Sequence, residues 1–125
     1  MELTLKENTV YKIGNDILQL SEFEKTINPS FIRRVYTEKE KAYIQSFCEP
    51  NLRYASTFAA KEAIYKAIKQ FDTNIKLPWK KIEITRAKVQ GKPSVEILLE
   101  DYRFDVSLTI SHDGDYVWAV ALVCK

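Results

Sequence analysis

Glu62 and Lys66 have the residue types and spacing best suited to chemistry on a phosphate. They lie in Phe58-Ala59-Ala60-Lys61-Glu62-Ala63-Ile64-Tyr65-Lys66-Ala67, which reads as a helix. Residues three and four apart are neighbours on a helix, so a carboxylate with an ammonium one turn later can hold a hard cation and an anion side by side. Lys69 extends that face. Ala60, Ala63, Ile64, Ala67 and Phe71 recur at helical spacing and make an apolar stripe. Its alanines let another backbone approach closely. As a solvated pair alone, Glu62 and Lys66 would contribute only about 0.2–0.5 kcal/mol to the helix.

Three other segments carry candidate chemistry. Asp16 follows Gly14 in Val10-Tyr11-Lys12-Ile13-Gly14-Asn15-Asp16-Ile17, where a glycine allows a tight bend or the close approach of a ligand. Ser111 and His112 stand at the end of an alternating strand, before Asp113-Gly114. Gly91-Lys92-Pro93 reads as a turn. Each of these, taken singly, is an ordinary turn or strand-end residue.

The elements that must position them follow from periodicity. The segment from Val10 to Ile17 is a strand with Tyr11, Ile13 and Ile17 on one face and Lys12, Gly14 and Asp16 on the other. Asp16 therefore faces away from the apolar side. A short helix follows Asn28-Pro29-Ser30. Thr37-Glu38-Lys39-Glu40 is a capping box that starts a helix running to about Phe47, and Glu49-Pro50-Asn51 breaks it. The long helix covers about Leu52 to Phe71. Ile82, Ile84 and Val89 belong to one strand, and Gln90 to Pro93 to a turn. Val95, Ile97 and Leu99 alternate next, then Val106, Leu108 and Ile110. Asp113-Gly114 predicts a tight hairpin with positive φ at both centres. Tyr116 to Val123 is apolar on both faces and so is the central strand. The expectation is a single α+β domain over residues 1–125, a mainly antiparallel sheet packed with a long helix.

Composition narrows the function classes. A chain of 125 residues, 46% hydrophobic, suits one folded core. No apolar run approaches the ~20 residues of a membrane span, and Met1 to Glu7 lacks the pattern of a signal peptide, so a cytoplasmic protein is expected. Cys48 and Cys124 match no metal spacing, and one histidine makes a zinc site of nitrogen and sulfur unsuitable. A metal here would be a hard ion on carboxylates. The net charge of +2 permits an acidic partner without predicting nucleic acid. Lys61, Lys66 and Lys69 near Tyr65 and Phe71, and Trp79 before Lys80-Lys81, are the features that would favour a nucleic strand; Glu38, Glu40, Glu62, Asp101 and Asp105 argue against it.

The order of the blocks is more specific than any one of them. Ile13-Gly14-Asn15-Asp16-Ile17, Phe31-Ile32-Arg33-Arg34-Val35-Tyr36-Thr37, Phe58-Ala59-Ala60-Lys61-Glu62-Ala63 with Lys66-Ala67, Gly91-Lys92-Pro93, and Ile110-Ser111-His112-Asp113 follow one another in the chain. This series resembles the 4′-phosphopantetheinyl transferase superfamily, in its short holo-[acyl-carrier-protein] synthase branch, over about residues 10 to 123. The resemblance implies the transferase fold and an enzyme. The implied reaction is Mg²⁺-dependent transfer of the phosphopantetheine arm of coenzyme A to a serine of a carrier protein, releasing adenosine 3′,5′-bisphosphate. It implies Asp16 and Glu62 as metal ligands and Lys66 as a charge on the diphosphate. Lys61, Gly91, Lys92, Pro93, Ser111 and His112 are implied to contact coenzyme A, and Arg33 and Arg34 an acidic carrier. It also implies a homotrimer with sites between subunits, and neither a nucleic-acid nor a membrane partner. The proton acceptor stays open between Glu62 and a water held by the ion.

Departures from the family pattern fall on the carrier side. Ser21, Glu22 and Glu24 stand where members usually carry basic residues. Asn15, Thr57, Lys69 and Gln70 also depart, while Asp16, Glu62 and Lys66 are retained. A carrier of specialised biosynthesis is expected, with fatty-acid carrier protein as the other possibility. A family member that binds coenzyme A or a carrier without turnover is the alternative reading.

Overall fold

The computed structural model describes residues 9–86 and 92–125. Its centre is helix α4, Pro50–Ile68, laid across a three-stranded sheet. That sheet has the antiparallel order β1-β5-β4, with β1 Tyr11–Gln19, β5 Tyr116–Cys124 and β4 Asp105–Asp113. A separate hairpin pairs β2, Ile82–Arg86, with β3, Pro93–Ile97. Three short helices, α1 Leu20–Glu24, α2 Pro29–Val35 and α3 Glu38–Ile44, lie between β1 and α4, and a 3₁₀ turn at Trp79–Lys81 precedes β2. The α+β expectation holds, and β5 is the central strand. Gly91, like Val89 and Gln90, lies outside the described residues.

Sequence accounts for most element ends. Asn28 caps α2 by accepting from the Phe31 N–H, and Pro29 fits the first turn, where its missing N–H is not needed. Thr37 and Glu40 form the expected capping box on α3. Helix α1 has no side-chain cap of its own. Instead Asp115, 94 residues away, accepts from the Ser21 N–H at 3.0 Å and from the Ser21 hydroxyl at 2.6 Å. That long-range cap is why α1 leaves no local signal.

One expectation needs correction. The hairpin between β4 and β5 pairs Asp113 with Tyr116, so its two centres are Gly114 and Asp115, not Asp113 and Gly114. Among the described residues only Gly114 has positive φ, 57°. Glycine alone with positive φ at the first centre matches a type II′ turn rather than the mirror type I turn. In β1 the parities are as read, and the apolar face is the outer one: Ile13 and Ile17 are 60% and 63% exposed. Lys12, Gly14 and Asp16 share the face turned towards α4.

Gly14 explains why that face needs so little apolar bulk. A Cβ there would lie 1.9 Å from the Ala63 carbonyl oxygen and 2.8 Å from the Ala67 nitrogen. Strand backbone thus rests on helix backbone, with Ala59, Ala60, Ala63 and Ala67 fully buried beneath the sheet. The close approach that glycine permits is to the helix, not to a ligand.

Candidate active site

The seam between β1 and α4 brings Asp16, Glu62 and Lys66 together. The Lys66 ammonium is 2.9 Å from Asp16 Oδ1 and donates to the Asn15 carbonyl at 3.1 Å. One turn further on, the Gln70 amide donates to the Ile13 carbonyl at 2.7 Å and to the Lys66 carbonyl at 3.3 Å. These bonds pin α4 to the strand at Asp16 and along the residues just before it. Burial pushes the Glu62 carboxyl above its ordinary range, the Asp16 charge adds to this, and Lys66 opposes it. Two carboxylates thus share one site and feel each other, with a single cation against them. This is the arrangement that a divalent ion relieves.

Lys61 departs from expectation. It is completely buried. Its ammonium makes three contacts, which use all its protons: Glu40 Oε1 at 2.7 Å, the Val35 carbonyl at 2.7 Å and the Trp79 carbonyl at 2.9 Å. No proton is left for a coenzyme A phosphate, so a contact from Lys61 is not available in this chain. Glu40 is satisfied in turn, accepting from Thr37 N at 2.8 Å and Ile84 N at 2.8 Å. Burial drives the carboxyl up and the ammonium down, against their mutual attraction. In the sequence Glu40 reads as a helix cap and as one of the acids balancing the net charge. Its buried partner lies 21 positions along the chain and gives no local pattern. Lys69 also leaves the face shared with Glu62 and Lys66: it bonds the Thr73 and Ile75 carbonyls beyond the helix end.

The other candidates are not gathered by one chain. Asp16 and Ile110 flank Ala119 from opposite sides, so Ser111 and His112 lie two strands from Asp16, about 10 Å at ordinary strand spacing. Ser111 shares the outer face with Trp118 and Ile17, while His112 is exposed past the helix. Lys92 and Pro93 stand at the end of the β2–β3 hairpin, and Arg33 and Arg34 are exposed in the last turn of α2. Among the described residues no hydrogen bond or ion pair links any of these to the Asp16 cluster. Gln70, which sequence reasoning noted only as a departure, is the residue it missed.

The strand–helix seam of this small α+β protein thus gathers two carboxylates and a lysine, with no nucleophile among them, and has donors for a hard ion and for a phosphate. The family profile described as the 4′-phosphopantetheinyl transferase superfamily matches residues 12–121. A holo-[acyl-carrier-protein] synthase of Chlamydia muridarum is 35% identical over 122 residues, covering 90% of this chain and 94% of that one. The fatty acid synthase alpha subunit hexA of Dothistroma septosporum is 35% identical over 112 residues, of which this chain spans 33% of the length. Among solved structures, a holo-(acyl-carrier-protein) synthase from Bacillus anthracis in complex with CoA (3′,5′-ADP) superposes with a TM-score of 0.75. It shares 30% identity over 90% of this chain and 95% of that one. The chain belongs to the 4′-phosphopantetheinyl transferase superfamily, in its holo-[acyl-carrier-protein] synthase type.

Proposed function

We propose that this chain transfers the 4′-phosphopantetheine group of coenzyme A to a serine of an acyl carrier protein in a Mg²⁺-dependent reaction. The serine oxygen forms a bond to the phosphorus nearer the pantetheine, the bond from that phosphorus to the bridging oxygen breaks, and adenosine 3′,5′-bisphosphate leaves. The single observation that carries this reading is the Asp16–Glu62–Lys66 seam. Relatives named for holo-[acyl-carrier-protein] synthase and fatty acid synthase support a carrier of fatty acid synthesis.

The residues suit the ion. Asp16 and Glu62 offer hard oxygen donors, and no group of three potential ligands exists among the described residues. Two protein donors suit an ion that keeps water and binds substrate phosphate. Bound there, Mg²⁺ would neutralise charge that builds on the diphosphate. Lys66 supplies a fixed positive charge beside it, held in place by Asp16 and the Asn15 carbonyl. Glu62 or a water held by the ion would accept the serine proton.

The same reading includes a homotrimer. Tyr11, Ile13, Ile17, Tyr116, Trp118 and Leu122 are all exposed on the outer sheet face, and an apolar patch of that kind is normally covered. By the family resemblance, a neighbouring copy there would help to enclose a coenzyme A bound at the seam. No helix among the described residues is long and apolar enough to cross a membrane, and a coenzyme A substrate fits a cytoplasmic enzyme. The deciding assay is mass spectrometry of an apo carrier after incubation with the protein, coenzyme A and Mg²⁺. Gain of the phosphopantetheine group is expected; an unmodified carrier, with no coenzyme A binding, would end this reading.

A further inference from the structure

Strand β1 is an edge of the three-stranded sheet, since the strand order is β1-β5-β4. Carbonyls on the outer side of an edge strand have no ladder partner and need other donors. Helix α4 supplies them. The Asn15 carbonyl accepts from the Lys66 ammonium at 3.1 Å, and the Ile13 carbonyl from the Gln70 side-chain amide at 2.7 Å. The two periods agree closely enough to allow this. Two residues along a strand cover about 6.8 Å, and four along a helix about 6 Å. Lys66 and Gln70 therefore meet alternate carbonyls of β1. Gly14, whose backbone rests on that of Ala63 and Ala67, lies between the two.

The end of the helix gives Gln70 its second bond. Its backbone N–H turns to the Ala67 carbonyl at 3.1 Å, and the Phe71 N–H to the Ile68 carbonyl at 2.9 Å, so the last turn tightens to bonds three residues apart. The Lys66 carbonyl is thereby deprived of the backbone N–H four residues on. The Gln70 side chain replaces it, donating to that carbonyl at 3.3 Å. A primary amide has two N–H donors, and here both are used. One ties down the backbone of Lys66, the other the strand that carries Asp16.

Lys66 cannot serve this purpose alone. Its ammonium donates to the Asn15 carbonyl and to Asp16 Oδ1 at 2.9 Å, and in the proposed transfer it also faces the diphosphate. An ammonium drawn towards a substrate oxygen slackens its hold on the strand. The neutral Gln70 amide has no such second duty. We propose that Gln70 is a positioning residue, which fixes the gap between Lys66 and Asp16 while substrate and ion engage the charges of the site. This deepens the transfer reading and rests on it. Gln70 is one of the departures of this chain from the family pattern, so the resemblance assigns it no role.

The test pairs two variants. Gln70→Met keeps the length of the side chain and removes both donors without adding charge, whereas Gln70→Arg keeps N–H donors on a long stem. Transfer kinetics are measured at saturating Mg²⁺ and below the melting range of each variant. A shift of about 1 Å at a reacting centre is worth about 100-fold in rate, so the smaller slip expected of Gln70→Met should lower kcat roughly tenfold. Its carrier KM should stay at the wild-type value, and Gln70→Arg should recover most of the lost rate. Binding of Mn²⁺ to the protein without substrate, followed by electron paramagnetic resonance, should weaken severalfold in Gln70→Met. A wild-type kcat in folded Gln70→Met overturns the proposal and leaves the amide a helix cap only. A fall in kcat that Gln70→Arg shares in full overturns it as well. Should the wild type transfer nothing, the transfer reading fails by itself and the Mn²⁺ measurement decides: weaker binding in Gln70→Met upholds the role of the amide, and equal binding overturns it.

Discussion

Gly14→Ala tests how the site is assembled. The added methyl would lie 1.9 Å from the Ala63 carbonyl oxygen and 2.8 Å from the Ala67 nitrogen, both backbone atoms in the middle of α4. Neither can swing aside as a side chain can. The strand must withdraw by about 1 Å or more to restore contact at 3.0 Å. Overpacking of this kind costs about 1–3 kcal/mol. A displacement of about 1 Å at a reacting centre is worth about 100-fold in rate. Asp16 rides on the same strand two residues on, while Glu62 and Lys66 ride on the helix, so the gap opens between them. The variant should melt lower but fold, and its transfer rate at saturating coenzyme A should fall by about two orders of magnitude. Circular dichroism and a carrier mass assay at a temperature where it stays folded would read both. A folded variant with the wild-type rate would refute the claim that backbone contact at Gly14 sets the site.

Three further expectations follow from the same geometry. Asp16→Asn and Glu62→Gln should each suppress transfer at least 100-fold with far-ultraviolet circular dichroism unchanged, checked by the carrier mass assay with Mg²⁺. Glu62→Gln should also raise the melting temperature in metal-free buffer at pH 7. In the folded chain Glu62 holds its proton more tightly than at its ordinary value of 4.5. Its contribution is therefore most favourable below that value and is lost as pH rises through the raised one. Calorimetry across pH should show the gain at pH 7 shrinking to nothing in acid. Lys61→Met should destabilise by about 3–5 kcal/mol, because it strands the buried Glu40 carboxylate; urea unfolding would measure it, and a loss under 1 kcal/mol would contradict the buried network.

Much of this architecture is written locally. The Thr37–Glu40 capping box, the Asn28 cap and the alternation in β4 involve neighbours, so spacing reveals them. What spacing cannot reveal depends on distant partners. Lys61 adjoins Glu62 in the most specific motif of the chain, yet Glu40, Val35 and Trp79 draw it into the core. The outer face of β1 is as apolar as a core strand, so the pattern alone could not tell which side is buried. The one-residue phase of the turn at Gly114 is fixed by the pairing of Asp113 with Tyr116, and Asp113-Gly114 is equally good local turn chemistry. Glu62 and Lys66 are legible as candidates from their types and helical spacing, and Asp16 only through the order of the blocks that carries the family resemblance. Their meeting depends on Gly14 and the alanines of α4.

The most direct test of the central claim is anomalous diffraction from crystals grown with coenzyme A and Mn²⁺ in place of Mg²⁺. The account predicts a manganese peak bridging the Asp16 and Glu62 carboxylates and the diphosphate oxygens, with Lys66 beside it. A bound coenzyme A whose diphosphate lies away from the β1–α4 seam, or a manganese peak touching neither carboxylate, would contradict it.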